Sequence, residues 1–259
     1  MTRATLFKTQ ISSGSYRDFI GNIMGLSETR PSSYVCFANV HMITTCYRDE
    51  KFNQVVNGAD IVAPDGKPIA VWLRLFNRLK QPKISGPDIF PDLLKEAALR
   101  QKKVFFYGST EAVLQKITAR AAMEFPALKI AGYYAPPFHD PTPREEMAIN
   151  ILINALSPDL MFVALGCPKQ EKYMASHVGK INTCMLGMGQ AFRIYAGEIE
   201  RAPRWMQHAG LEWAHRLWTE PGRLWKRYAY TNTLFLFITL RHMILSLVRK
   251  RSFQNTQTL

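Results

Sequence analysis

The chain has 259 residues, with 33 Lys and Arg against 20 Asp and Glu, for a formal net charge of +13. That length supports a full hydrophobic core without disulfides or a structural metal. An apolar share of 47% with 20% charged residues excludes a disordered or collagen-like chain.

In chain order, the N-terminal segment MTRATLFKTQISSGSYRDFI mixes charges and hydroxyls where a signal peptide needs an apolar run, so it does not read as one. Short β-branched or aromatic runs then predict strands at Tyr34–Val40, Asp60–Ala63, Lys103–Tyr107, Lys129–Tyr134, Asp159–Leu165 and Thr183–Leu186. Helical periodicity predicts helices at Gly66–Leu79, Pro87–Arg100, Thr110–Phe125, Pro143–Leu156 and Pro168–His177. Alternation of the two periods predicts an α/β fold, a mostly parallel, Rossmann-like sheet covered on both faces by helices. The cysteines, Cys36, Cys46, Cys167 and Cys184, form no CxxC pair and read as thiols of a reducing compartment. Six histidines without HxxxH or HExxH spacing give no reason to expect a metal site.

Several predicted strands end in small-residue turns: Gly108-Ser109-Thr110, Gly166-Cys167-Pro168 and Gly187-Met188-Gly189. The second of these puts Pro168 at the expected first helical position after its strand. Such turns collect at the C-terminal edge of a parallel sheet, where helix N–H groups attract phosphate, and they point to a nucleotide. Gly187-Met-Gly189-Gln-Ala-Phe192 fails as a dinucleotide fingerprint, because Phe192 replaces the third glycine and no second unit with a ribose-binding acid follows. GxxxxGK[ST], GxSxG and DxD are absent as well.

The basic excess is concentrated in the tail. Residues 201–259 hold ten Lys/Arg and two acids, a net of +8, together with four of the five tryptophans, Trp205, Trp213, Trp218 and Trp225. Indole rings favour the headgroup layer and cations are drawn to anionic lipid, so the tail reads as a membrane-surface element. The apolar stretch Leu234–Leu240 is cut by Arg241 and His242, which falls short of a span. No nucleic-acid signature accompanies the charge.

Asp65, in Ala63-Pro64-Asp65-Gly66, closes a strand on a sharp turn where a carboxylate can face a cleft. An Asp in such a turn is commonly only a turn former. Its company argues for more: Asn39 ends the preceding strand, Ser85-Gly86-Pro87-Asp88 opens the following helix, and Gly166-Cys-Pro-Lys-Gln170-Glu171 closes a later strand.

With Asn39-Val-His41, Tyr107-Gly108-Ser109, Pro158-Asp159, Arg201-Ala-Pro203 and Gly210-Leu-Glu-Trp213, these motifs stand in the order of a known family. Over roughly Tyr34–Arg227 the chain resembles the WecG/TagA/CpsF glycosyltransferases. The resemblance implies inverting transfer of a hexose from a UDP-sugar to a sugar on polyprenyl diphosphate, with no cofactor and no divalent metal, at the inner face of the cell membrane. The hexose differs among members: glucose, N-acetylmannosamine or its uronic acid. Carried over, Asp65 is the general base. Asn39, Gly66 and Gln170 are substrate-binding positions, and Gly108 with Ser109 suits phosphate or nucleotide. Arg216, Arg223 and Arg227, with Arg201 and Arg204 beside them, are the cations for diphosphate and membrane.

The seven-and-four spacing of Arg216, Arg223 and Arg227 would put them on one helix face, but Pro221-Gly222 is expected to interrupt that helix, which leaves the shared face an assumption. Two departures bear on the donor. Phe37 stands where the family often has Thr, and Arg193 stands where it often has an acid, which suits an acidic sugar or an extra phosphate contact. The expected organisation is a catalytic body, 1–200, and a basic helical appendage, 201–259, that docks on the bilayer. A homo-oligomer stays open. The rival readings are a Rossmann-type enzyme using NAD or S-adenosylmethionine, and a non-enzymatic basic membrane adaptor.

Overall fold

The computed structural model describes residues 1–29, 32–137, 139 and 141–256, with 246–256 described by backbone alone. The chain opens on a hairpin of β1 (Thr2–Leu6) and β2 (Thr9–Ser13), turned at Phe7 and Lys8. There follow α1 (Tyr16–Thr29), β3 (Ser33–Ala38), α2 (Val40–Arg48), α3 (Glu50–Asn57), β4 (Ile61–Pro64), α4 (Lys67–Asn77) and α5 (Gly86–Leu99). Next come β5 (Lys103–Gly108), α6 (Glu111–Glu124), β6 (Lys129–Tyr134), α7 (Pro143–Leu156), β7 (Leu160–Ala164), α8 (Lys169–His177), β8 (Cys184–Gly187) and α9 (Ala191–Tyr195). Strands β3 to β8 form one six-stranded sheet in the order β4-β3-β8-β7-β5-β6, parallel throughout.

The period-2 alternation of the strands divides the interior. Val35 and Phe37 of β3, Val104 and Phe106 of β5, Leu160 and Phe162 of β7, and Cys184 and Leu186 of β8 join one core with α1, α5, α6 and α9. At its centre Phe90 of α5, fully buried, meets Phe162, Phe192 and Tyr195 with ring centroids 4.9, 5.4 and 5.2 Å away. Helices α2, α3 and α8 pack together in a second layer, and α7 is tied to α8 by His177 Nε2 at 3.3 Å from Glu146 Oε1.

The predicted strands and helices are all present, with shifted ends. The first strand stops at Ala38 rather than Val40, because Asn39 Oδ1 accepts from the Met42 N–H at 3.1 Å and so caps α2. Pro168 sits one position before the first helical residue of α8, not at it. The sequence reading assigned no element to the hairpin, α1, α2, α3 or α9. The hairpin strands, TRATL and TQISS, carry too few large apolar residues to announce a pattern, and α9 spans only five residues.

The chain divides into two compact units, Met1–Arg201 and Ala202–Leu259. The second consists of α10 (Arg204–Ala209), α11 (Glu212–Thr219) and α12 (Pro221–Thr256); residues 257–259 of the expected appendage lie outside the described residues. On α12, Leu224, Thr231, Phe235 and Ile238 are buried, while Trp225, Tyr230, Leu236, Phe237 and Leu240 are exposed. Among the described residues no helix is long and apolar enough to cross a membrane.

Candidate active site

The sheet order brings the sequence-selected turns to one edge. After β5 the chain enters α6 of the first layer, whereas after the adjacent β7 it enters α8 of the second. The adjacent strands β3 and β8 diverge in the same way, into α2 and α9. Strand ends that part company open a crevice, which is where parallel α/β sheets bind ligands. A cavity of about 200 Å³ lies at the other edge, where Asp159 precedes β7 and Thr183 precedes β8, away from these turns.

Asp65 stands at the C-terminal end of β4, half-buried, and its N–H donates to Ala38 O at 2.9 Å, which continues the β3–β4 ladder by one bond. Asn39, the next residue of β3's own exit, is thereby held beside it. Gly66 caps α4 with no side-chain bond. The segment before α5 runs along the outside of β4, with the Ile84 N–H donating to Pro64 O at 2.8 Å. A Cβ on Gly86 would lie 3.5 Å from Met188 O, so the start of α5 reaches the exit of β8. The backbone at Asp65, Asn39 and the first turn of α5 thus lies along the β4–β3–β8 part of this edge.

Asp88 in that first turn accepts from Arg201 Nη1 at 2.6 Å, takes the Ser85 hydroxyl and faces Lys83 Nζ at 3.6 Å. Burial pushes its carboxyl up, but Arg201 and Ser85 outweigh burial and hold it below the ordinary range. Arg201 is therefore brought to this edge. The roles of Lys83, Ser85 and Asp88 were not drawn from the sequence, although the Ser-x-x-Asp spacing is a helix-start signal that marks the place.

Gln170 organises the exits of β7 and β8. Its Oε1 accepts from the Gly166 N–H at 3.2 Å and its Nε2 donates to Glu171 Oε1 at 2.8 Å. A Cβ on Gly187 would come within 2.9 Å of Gln170 Nε2, so the amide fits only against a bare backbone. Burial raises the Glu171 carboxyl above its ordinary value, with the Gln170 donor pulling the other way. Gly108 serves a close approach: its added Cβ would meet Ala164 O at 2.6 Å, and the Ser109 N–H donates to the same oxygen at 3.0 Å. The Ser109 N–H is thereby committed to the turn.

Arg193 is on α9, which follows the exit of β8. Its Nε is 3.4 Å from Glu198, which also pairs with Lys116 of α6 at 3.1 Å. Phe37 is buried in the core of the first layer. In the second unit Arg204 is exposed on α10, and Arg216 is on α11. Arg223 and Arg227 sit a turn apart on α12, Arg223 with its Nε 2.6 Å from Glu220 Oε2 and Arg227 over the Tyr228 ring at 5.4 Å. The interruption expected at Pro221-Gly222 is present: α11 ends at Thr219 and Pro221 opens a new helix, since proline lacks the N–H that a continuing helix would use, so the three arginines do not share one helix.

A signature described as the glycosyl transferase WecG/TagA/CpsF family matches residues 4–249. The chain belongs to this family. Among its relatives, a Bacillus subtilis (strain 168) protein named N-acetylglucosaminyldiphosphoundecaprenol N-acetyl-beta-D-mannosaminyltransferase is 32% identical over 190 residues, 73% of this chain and 72% of the relative. Proteins of the same name from Bacillus spizizenii (strain ATCC 23059 / NRRL B-14472 / W23) and Staphylococcus aureus (strain NCTC 8325 / PS 47) are 31% and 27% identical, covering 75% and 74% of this chain and 74% and 75% of the relatives. The WecG/TagA/CpsF match takes in the whole C-terminal edge just described and most of the second unit.

Proposed function

We propose that this glycosyltransferase moves a hexose from a UDP-sugar to a sugar carried on polyprenyl diphosphate, with inversion and without a metal. The observation that carries the reading is Asp65, a half-buried carboxylate fixed at the end of β4 beside Asn39 in a chain of this family. In this reading Asp65 takes the proton from the acceptor hydroxyl as its oxygen bonds to the anomeric carbon. The bond from that carbon to the β-phosphate oxygen breaks on the opposite face, and UDP leaves with the electron pair. Asn39, Gly66, Gln170, Gly108 and Ser109 are the donor side of the site. Arg216, Arg223 and Arg227, with Arg201 and Arg204, are the cations for the diphosphate charge. Guanidinium groups suit phosphate through paired donors.

The relatives' names make N-acetylmannosamine the first donor sugar to try, and an N-acetylglucosaminyl diphosphate lipid the first acceptor. The exposed aromatics and cations of the second unit support a peripheral seat on an anionic membrane, at the face where UDP-sugars are made.

The test is release of UDP with a panel of UDP-hexoses and a short-chain polyprenyl diphosphate sugar. Asp65→Asn is expected to lower kcat by roughly 10²–10⁴-fold, the usual worth of a general base, with UDP binding by calorimetry unchanged. Wild-type turnover in that variant removes the base assignment. Activity silenced by EDTA and restored by manganese removes the metal-free course.

A further inference from the structure

The segment between Asp65 and Asp88 carries a charge pattern of its own, on the catalytic body rather than on the tail. It holds Lys67, Arg74, Arg78, Lys80 and Lys83 and no acid. Helix α4 uses one side for packing: Ile69, Trp72 and Leu73 are buried, and the Trp72 ring lies 5.3 Å from Phe7 and 4.7 Å from Phe76. Its other side is a stripe at helical spacing, Lys67, Val71, Arg74, Leu75 and, at the C-cap, Arg78, all exposed. Leu75 is 68% exposed and Val71 43%, although the helix already has a complete buried face. Among the described residues, Arg74, Arg78 and Lys80 have no acidic partner.

We propose that the outer face of α4 is a second membrane-docking surface, seated on anionic phospholipid headgroups with Val71 and Leu75 entering the acyl boundary. Aliphatic side chains interleaved with the cations Arg74 and Arg78 match an anionic interface, which offers negative charge and an apolar layer a few ångströms apart. The helix starts two residues after Asp65, and its eleven residues extend about 16 Å along the surface at the α-helical rise. Docking it presents the end of β4 to the plane in which a lipid-linked acceptor moves. The inference rests on the membrane-held acceptor of the functional reading, and it adds that the body, not only the tail, orients the site.

The test uses the full chain and sedimentation with vesicles of phosphatidylglycerol and phosphatidylcholine, or of phosphatidylcholine alone. Removing three cations by Arg74→Gln, Arg78→Gln and Lys80→Gln is expected to weaken binding to the anionic vesicles at least ten-fold, since each cation near such a surface contributes roughly five-fold. Val71→Ser with Leu75→Ser is expected to weaken it as well, and the wild type is expected to bind phosphatidylcholine alone poorly. Thermal unfolding and UDP titration, unchanged in both variants, separate the effect from misfolding. Wild-type vesicle affinity in either variant overturns the proposal. So does a change confined to the oligomeric state, which would give the face to a second copy. Trp218→Ser with Trp225→Ser, in the tail, keeps the two readings apart. If only that variant loses vesicles, α4 docking fails while the functional reading stands. If α4 controls vesicle binding but no UDP-hexose is turned over, the functional reading fails and the docking surface stands.

Discussion

Gly108 and Ala164 approach so closely that their turn has no space for a side chain. A Cβ at 108 would press on Ala164 O, and the backbone there has φ +104°, a conformation that L-residues adopt only under strain. Gly108→Ala is therefore expected to destabilise the protein by about 1–3 kcal/mol, read from denaturant midpoints. Glu171 gives a second residue-scale prediction. Its carboxyl is fully buried and keeps its proton to a higher pH than the ordinary 4.5. The unfolded chain releases that proton above about 4.5, so this group's contribution is fully present below that pH and is lost as pH rises towards the folded value. Glu171→Gln keeps an acceptor for Gln170 and has no proton to lose. The melting temperature of the variant is expected to gain on that of the wild type as pH rises from about 5 to 8, and a constant difference would show that Glu171 does not titrate in this range. At this scale the sequence made Asp65, Asn39 and Gln170 conspicuous, since each follows a strand within a polar or glycine-containing motif. It left Glu171 and Asp88 without a role, because a buried carboxyl and an ion pair with Arg201 are made by residues far apart in the chain.

At the scale of elements, apolar periodicity made the central strands legible and left the hairpin silent. A strand such as Val104–Tyr107 is apolar on both sides because helices cover both faces, and that composition is readable without coordinates. Helix α9 shows the opposite case: five residues are too few to display a period, yet Phe192 places its ring at the middle of the core. The energy at that point is concentrated in Phe90, which touches rings from β5, β7 and α9. Phe90→Ala is expected to cost about 3–5 kcal/mol in equilibrium unfolding, by lost transfer energy and the cavity left behind. A loss below 1 kcal/mol, on the same scale of core truncations, would mean that the neighbouring rings collapse into the gap. The break between α11 and α12 was equally legible, because Pro221 followed by Gly222 disfavours carrying one helix through that point.

For the whole molecule, the described core residues of the first layer end at Tyr195, and the first compact unit ends at Arg201. A chain stopped after Arg201 is expected to unfold cooperatively and to bind UDP, yet to transfer poorly to an acceptor held in a bilayer. Full transfer by that truncated chain would show that the second unit contributes nothing to the reaction. Charge follows the same division, with +8 of the +13 in residues 201–259, and the cationic stripe of α4 adds a smaller focus to the body.

Local chemistry, and so the sequence by itself, determined the alternation of strands and helices, the polar turns that end the strands, the basic aromatic tail and the family resemblance that the wider comparison bore out. Those properties depend on residues a few positions apart. Only the tertiary structure decided that the turns after β3, β4, β5, β7 and β8 meet at one edge, because strand order is set by which faces can be buried together and not by order along the chain. It alone revealed the Gln170–Glu171 clamp over Gly187, Arg201 on Asp88, and the outward stripe of α4, each of which exists only once distant segments have been packed and the remaining surface is known.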